Sequence, residues 1–147
     1  MLATYEDFRR AAKKRLPKLL FDYVDGGSYA ERTLAANVAD FADVRLRQRV
    51  LHDVSKLETG VDLFGRRHSM PVILAPVGMA GMYARRGEAQ AARAAAKAGV
   101  PMCLSTLSIC GLDEVSKTAA TWFQLYVLKD RGFMRELIAR AKAVGSP

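Results

Sequence analysis

The stretch MPVILAPVGMAG, Met70–Gly81, decides how this chain is read. Val72, Ile73, Leu74 and Ala75 form a short apolar run with β-branched members, opened by Pro71 and closed by Pro76. That pattern predicts a strand buried on both faces, as strands of parallel sheets are. Residues Pro76–Gly81 neither extend the strand nor start a helix cleanly, so they form a loop at its carboxyl end. Gly78 and Gly81 allow that loop a positive φ or a close backbone approach. An alanine-rich helical segment comes next. Strand, glycine-bearing loop and helix make up the unit with which α/β proteins hold a ligand at the carboxyl edge of a sheet or barrel.

Downstream the unit repeats. A helix is predicted over about Gly87–Ala98, stopped by Gly99 and Pro101. A second strand follows at Met102–Leu104, then a short helix at about Leu112–Lys117 and a third strand at Trp122–Val127. The last helix runs from Arg131 to Val144, with Asp130 as its cap and Phe133, Met134, Leu137, Ile138 and Ala141 as its buried stripe. Strands and helices alternate with short connections, which predicts a parallel sheet with helices outside it. A closed (β/α)8 barrel needs ~250 residues. Three βα units behind a helical preface look like the front part of one.

Upstream the pattern is helical. Thr4 caps a first helix, with Asp7 at the capping-box position and Phe8, Ala11 and Ala12 as its apolar stripe. Pro17 starts a second helix, in which Leu19, Leu20, Tyr23 and Val24 recur at helical spacing until Asp25-Gly26-Gly27 stops it. A third helical stretch covers roughly Glu31–Asp40. Val44, Leu46 and Val50 then alternate with Arg45, Arg47 and Arg49, an extended or irregular pattern whose arginines read as a solvated face. Val61–Phe64, Gly65 and Arg66–Ser69 predict a small hairpin that plugs or edges the larger sheet. The expected division is therefore residues 1–70, a helical extension with a hairpin, and residues 71–147, the βα units.

Composition narrows the function. Half of the 147 residues are hydrophobic, enough for a sizeable core, and the net charge is +8 from 23 basic and 15 acidic side chains. Such a charge suits an anionic small molecule, an acidic membrane surface or nucleic acid. Basic patches interleaved with aromatics are lacking, which argues against nucleic acid. Cys103 and Cys110 have no metal-ligand companions and read as reduced thiols in a cytosol-facing protein. The amino terminus has no signal-peptide pattern, and the longest uncharged stretch, Ser69–Ala84, is too short and too broken to span a bilayer.

Longer motifs carry a resemblance. FDYVDGG (Phe21–Gly27), LRQRVL (Leu46–Leu51), MPVILAPVGMAGMYARRGE (Met70–Glu88), LSTLS (Leu104–Ser108) and WFQLYVLKDRGFM (Trp122–Met134) occur in order along the chain. Together they resemble the FMN-dependent α-hydroxy-acid oxidising enzymes, most closely the bacterial L-lactate dehydrogenases among them. The resemblance implies a TIM barrel, of which this chain supplies an N-terminal helical extension and about the first three βα units. It implies FMN as cofactor, with Pro76, Val77 and Gly78 against the flavin ring and Ser105 and Gln124 hydrogen-bonded to it. It implies that Tyr23 and Tyr126 face the carboxylate and hydroxyl of a small 2-hydroxy acid. Gly78 and Leu107 resemble the dehydrogenase branch more than the oxidase branch.

Read without the family, these residues say less. Tyr23 would be a core aromatic, Ser105 a small core residue and Trp122 packing. Gln124 inside a strand is the least ordinary of them, because a buried amide needs partners.

The resemblance also implies what these residues do not supply. The family's proton-accepting histidine, its carboxylate-clamping arginine, its flavin-stabilising lysine and its phosphate-holding loops all match positions beyond residue 147. His52 and His68 precede the first barrel strand and match none of them, so neither is assigned a catalytic role. The expectation is FMN-dependent oxidation of L-lactate to pyruvate by the complete polypeptide, with glycolate or mandelate as alternative substrates and little activity in these residues alone. A quinone or respiratory carrier would accept the electrons. The protein would be cytoplasmic, or peripheral on the cytoplasmic face of the inner membrane, and a homo-oligomer when complete. The competing expectation is a non-catalytic remnant, an open partial barrel that associates with itself.

Overall fold

The computed structural model describes residues 2–119 and 121–147, which fall into two compact units divided at Lys56–Leu57.

The first unit is helical. Helix α1 spans Tyr5–Arg15, α2 Lys18–Asp25 and α3 Arg32–Ala39, followed by a 3-10 turn at Asp40–Asp43. Thr4 caps α1 by accepting from the Asp7 N–H at 3.3 Å, and Asp7 Oδ2 accepts in return from the N–H of Thr4 at 3.1 Å. The capping box is thus complete with aspartate in the place usually taken by glutamate or glutamine. The N–H groups of Ala3 and Thr4, then Arg10, hold the Asp7 carboxyl down to about 2. Helix α2 begins one residue after Pro17, which serves as its N-cap, and Gly26 ends it. Arg9 grips Asp25 with two hydrogen bonds of 2.5 and 2.8 Å, and the Lys13 ammonium lies 5.9 Å from the centre of the Phe21 ring. Phe21 is the buried large side chain here. The expected stripes are otherwise poorly covered within this unit, since Phe8, Leu19, Tyr23 and Val24 are all more than half exposed.

The second unit opens with the predicted hairpin. Strand β1, Val61–Leu63, pairs antiparallel with β2, Arg66–His68. The two-residue turn between them has positive φ at both Phe64 (48°) and Gly65 (73°), the type I′ geometry whose twist matches a hairpin. The hairpin, grouped with the extension on sequence grounds, packs with the βα units. The Phe64 ring meets Trp122 edge-on at 5.0 Å, the Ser69 N–H donates to the Gly99 carbonyl at 2.9 Å, and Arg66 reaches the Gly145 carbonyl at 3.3 Å. Gly99 precedes a strand and Trp122 lies near the start of another, so the hairpin sits over the amino ends of the sheet.

Strand β3 is Met102–Ser105 and β4 is Thr121–Gln124, paired in parallel with Ser105 opposite Gln124. The first predicted strand is reduced to one parallel bridge. The Leu74 N–H donates to Pro101 and the Leu74 carbonyl accepts from Cys103, while Val72, Ile73 and Ala75 stay exposed. The flanking prolines account for this correction, since Pro71 and Pro76 cannot donate to a ladder. The order and parallel direction of the three segments are as the βα repeat predicts.

Helix α4 is a single turn at Ala80–Tyr83, and α5 spans Gly87–Ala98. Helix α5 buries Ala89, Ala92 and Ala95 against Val100, Met102 and Leu104, and Cys110, Leu112 and Val115 complete that core. Alanine at positions 89, 92 and 95 lets the helix lie close to the strand. Gly99, at φ 68°, ends α5 in a Schellman arrangement, with the Val100 N–H on the Ala95 carbonyl and the Gly99 N–H on that of Ala96. Helix α6 covers Leu112–Val115 and α7 Arg131–Ala143, the latter capped by Asp130 accepting from Phe133 N–H at 3.0 Å. No residue of α7 is fully buried, which corrects the expected stripe. Met134, Leu137, Ile138 and Ala141 are half-buried and Phe133 is exposed, because β4 is the edge of the sheet that α7 covers.

Candidate cofactor site

The carboxyl ends of β3 and β4 place two polar side chains together. Register sets Ser105 opposite Gln124, and the Ser105 hydroxyl donates to Gln124 Oε1 at 3.3 Å. The Thr106 N–H donates to the same oxygen at 3.3 Å, and the Thr106 hydroxyl donates to the Gln124 carbonyl. The carboxamide is therefore held at its oxygen. Its Nε2 donates to no described residue. Ser105 is buried and already engaged twice, since its Oγ also accepts from the Leu107 N–H at 3.1 Å. One lone pair remains to it.

The loop after the first strand comes down beside this pair. The Met79 N–H donates to the Leu107 carbonyl at 2.7 Å. A Cβ placed on Gly78 would meet nothing closer than Ser105 Oγ and Leu107 Cβ, both at 3.9 Å, and Gly78 has no positive φ. Neither the backbone nor the surrounding side chains therefore demand glycine here. The backbone at Gly78 is therefore open on this side, with room for a group outside the chain to approach it. Met79, immediately after it, takes the left-handed conformation at φ 52° and ψ 34°, an unusual state for a side-chain-bearing residue and one concentrated at functional loops.

Of the residues singled out from sequence, the structure brings Gly78, Ser105 and Gln124 together. Tyr126 joins through its backbone, its N–H donating to the Thr106 hydroxyl at 3.3 Å, and its ring is half exposed. Pro76 and Val77 lie exposed on the same loop as Gly78. Tyr23 belongs to the first unit, where it is exposed on α2. Thr106 was missed by the sequence reading. A threonine after a strand end is commonplace, and only the register of β3 on β4 shows that it bridges Gln124 and Tyr126.

The profile of the FMN-dependent dehydrogenases matches residues 12–147. The chain belongs to that family. It is 63% identical over 148 residues to an L-lactate dehydrogenase of Caulobacter vibrioides (strain NA1000 / CB15N), covering 99% of this chain and 39% of that protein. It is 58% identical over 147 residues to an L-lactate dehydrogenase of Alcaligenes faecalis, with the same coverage. Among solved structures it superposes on mandelate oxidase with (S)-4-hydroxymandelic acid at a TM-score of 0.91 and 39% identity, covering 96% of this chain and 40% of that one. It also superposes on the monotopic membrane protein (S)-mandelate dehydrogenase at a TM-score of 0.88 and 35% identity, covering 96% and 38% respectively. The chain thus spans about two-fifths of the length of the L-lactate dehydrogenases it matches.

Flavin mononucleotide is the cofactor of this family, and the cluster fits part of it. A flavin ring has hydrogen-bonding groups along one edge and a flat apolar body. The free Gln124 Nε2, the remaining Ser105 lone pair and the bare backbone at Gly78 offer partners for such an edge and face. No basic side chain takes part in the cluster, so these residues suit the ring and not the phosphate.

Proposed function

We propose that these residues form the ring-holding part of an FMN site in an enzyme that oxidises a small L-2-hydroxy acid, L-lactate to pyruvate in the first instance. The observation that carries the reading is the convergence of Gly78, Ser105 and Gln124 at the carboxyl ends of parallel segments, with an unspent donor on Gln124. Family membership supports it. The implied whole is a TIM barrel, in which ligand sites gather at the carboxyl ends of the strands.

When bound, FMN supplies the two-electron acceptor. The chain's own residues orient it. Gln124 donates from Nε2 while Thr106 and Ser105 fix its other end, so the carboxamide cannot turn away. Pro76, Val77 and Gly78 present backbone to the ring face, and Gly78 leaves it room. By resemblance, Tyr126 and Tyr23 direct their hydroxyls at the substrate. A phenolic O–H is a rigid donor suited to a carboxylate.

The proton acceptor, carboxylate clamp and phosphate-holding loops are expected elsewhere, at positions these residues do not include. General-base help alone is worth ~10²–10⁴-fold, and loss of substrate orientation adds to that deficit. The 147 residues alone should therefore bind FMN weakly and reduce a dye with L-lactate no faster than background. The test is an FMN titration followed by flavin fluorescence, then addition of L-lactate with a dye acceptor. Saturable FMN binding without turnover is the expected result. Absence of any FMN binding refutes the site, and turnover refutes the division of labour. In a polypeptide of the relatives' length, kcat/KM should favour L-lactate over mandelate and glycolate. The names of the relatives at 58–63% identity support lactate, against 39% for the mandelate oxidase.

The same reading gives the protein a quinone or respiratory electron acceptor and a peripheral place on the cytoplasmic face of the inner membrane. The net charge of +8 and the likeness to a monotopic membrane dehydrogenase support it. Among the described residues no helix is long and apolar enough to cross a membrane. Co-sedimentation with anionic vesicles, weakened by salt, is the expected outcome.

A further inference from the structure

Glu88 is the most deeply buried charged side chain described in this protein, with no exposed surface. It is the second residue of α5, where a carboxylate ordinarily faces solvent and offsets the helix dipole. Here it turns away from its helix. Its Oε1 accepts from the Gly81 N–H at 3.1 Å and from the Ile109 N–H at 2.9 Å. Gly81 lies in α4, the single turn that directly follows the loop after the first strand. Ile109 lies within the loop between β3 and α6. One oxygen therefore ties the turn that follows the Pro76–Gly78 loop to the loop that follows Ser105. Oε2 is buried and finds no partner with hydrogen-bonding geometry among the described residues. Burial opposes ionisation most, but the donated N–H groups and the neighbouring Cys110 thiol outweigh it, so the carboxyl lies below its usual range.

Close packing reinforces this tie. A Cβ on Gly81 would stand 2.8 Å from Ile109 Cβ, so α4 and the loop after β3 touch with no room for a methyl group. A Cβ on Gly87 would stand 2.5 Å from the Ala80 carbonyl oxygen, which presses the start of α5 against α4. Between these anchors lie the Met79–Leu107 hydrogen bond and the left-handed Met79. A residue in that conformation persists only where its surroundings over-determine it. Dipole compensation alone would not explain why Oε1 reaches out of α5 to two separate segments.

We propose that Glu88 is a positioning residue for the flavin site: it clamps the turn that follows the Pro76–Gly78 loop to the loop following Ser105, and so sets the depth at which the ring meets Gln124. The proposal rests on the FMN reading above for the identity of what is positioned. Glu88 itself touches neither ring nor substrate.

The test compares the wild-type chain, Glu88→Gln, Gly81→Ala and the double variant. Amide hydrogen exchange reads the clamp, and FMN titration with visible circular dichroism reads the ring. Glu88→Gln keeps the volume and one acceptor but removes the charge that strengthens both bonds. Exchange at Gly81 and Ile109 should rise about tenfold, FMN should bind about tenfold more weakly and the flavin dichroism should change, while β1 and β2 amides stay as they were. Gly81→Ala forces α4 and the loop after β3 apart with Glu88 intact, and carries the test if Glu88→Gln fails to fold. It should weaken FMN binding similarly, and the double variant should cost less than the sum, since both break one junction. A wild-type chain that does not bind FMN overturns the flavin reading and the purpose assigned to Glu88 with it. FMN bound by wild type and by both variants with equal affinity and equal dichroism overturns the clamp alone, as do effects in the double variant that simply add.

Discussion

At the end of β4 one carboxamide joins structure to chemistry, and its two ends can be separated by mutation. Gln124 Oε1 holds Thr106 and Ser105, and Nε2 is left over for the ring. Gln124→Glu keeps the acceptor and removes the donor. The chain should then unfold close to the wild-type midpoint yet bind FMN about tenfold more weakly, as losing one hydrogen bond predicts. Gln124→Leu should do both harms, with the unpaired Thr106 N–H costing ~1–3 kcal/mol in denaturant unfolding. Asp7 gives a pH prediction. Its carboxyl is depressed to about 2, so the capping box contributes fully above the ordinary carboxylate range and is lost as pH falls through that value. Helicity compared between wild type and Asp7→Ala should therefore differ at neutral pH and converge near pH 2. At this scale sequence named Gln124 and Thr4–Asp7 correctly as residues needing partners. It left Glu88 inside a quoted motif without a role, because nothing in ARRGE tells a solvent-facing first-turn carboxylate from an inward one.

Single backbone contacts decide how the elements close on one another. Gly87 opens α5 where a Cβ would collide with the carbonyl oxygen of Ala80, so Gly87→Ala must move backbone, not a flexible side chain. It should destabilise the second unit by ~1–3 kcal/mol, the usual cost of overpacking, read as a lower urea midpoint with unchanged slope. Helix α5 was legible to the residue, since alanine spacing, Gly99 and Pro101 are all local signals. The strand at Val72–Ala75 was not. An apolar run between prolines says that a segment wants burial, but a strand needs consecutive paired residues along a neighbour, and here one bridge to Met102 is all that forms. The α7 stripe failed likewise. Its spacing is helical as predicted, yet the depth of burial depends on how much sheet lies beneath it.

In the molecule as a whole, β4 has β3 on one side and no strand on the other among the described residues. Tyr126 and Val127, just past β4, remain broadly exposed. An open edge beside apolar side chains templates pairing with another chain. Sedimentation velocity should show association at concentrations on the order of tens of micromolar. Because the net charge of +8 opposes it, association should strengthen with added salt, the reverse of the salt effect expected for anionic vesicles. The sequence by itself determined the order of elements, their parallel sense, the caps, the hairpin turn and the family, because each rests on local chemistry or on motifs read along the chain. Only the tertiary structure decided which stripes are covered, that Thr106 locks Gln124, and that Glu88 turns inward to join α4 to the loop after β3. Those outcomes depend on register and on contacts between residues distant in sequence, where burial and hydrogen bonding are set by neighbours that no local pattern names.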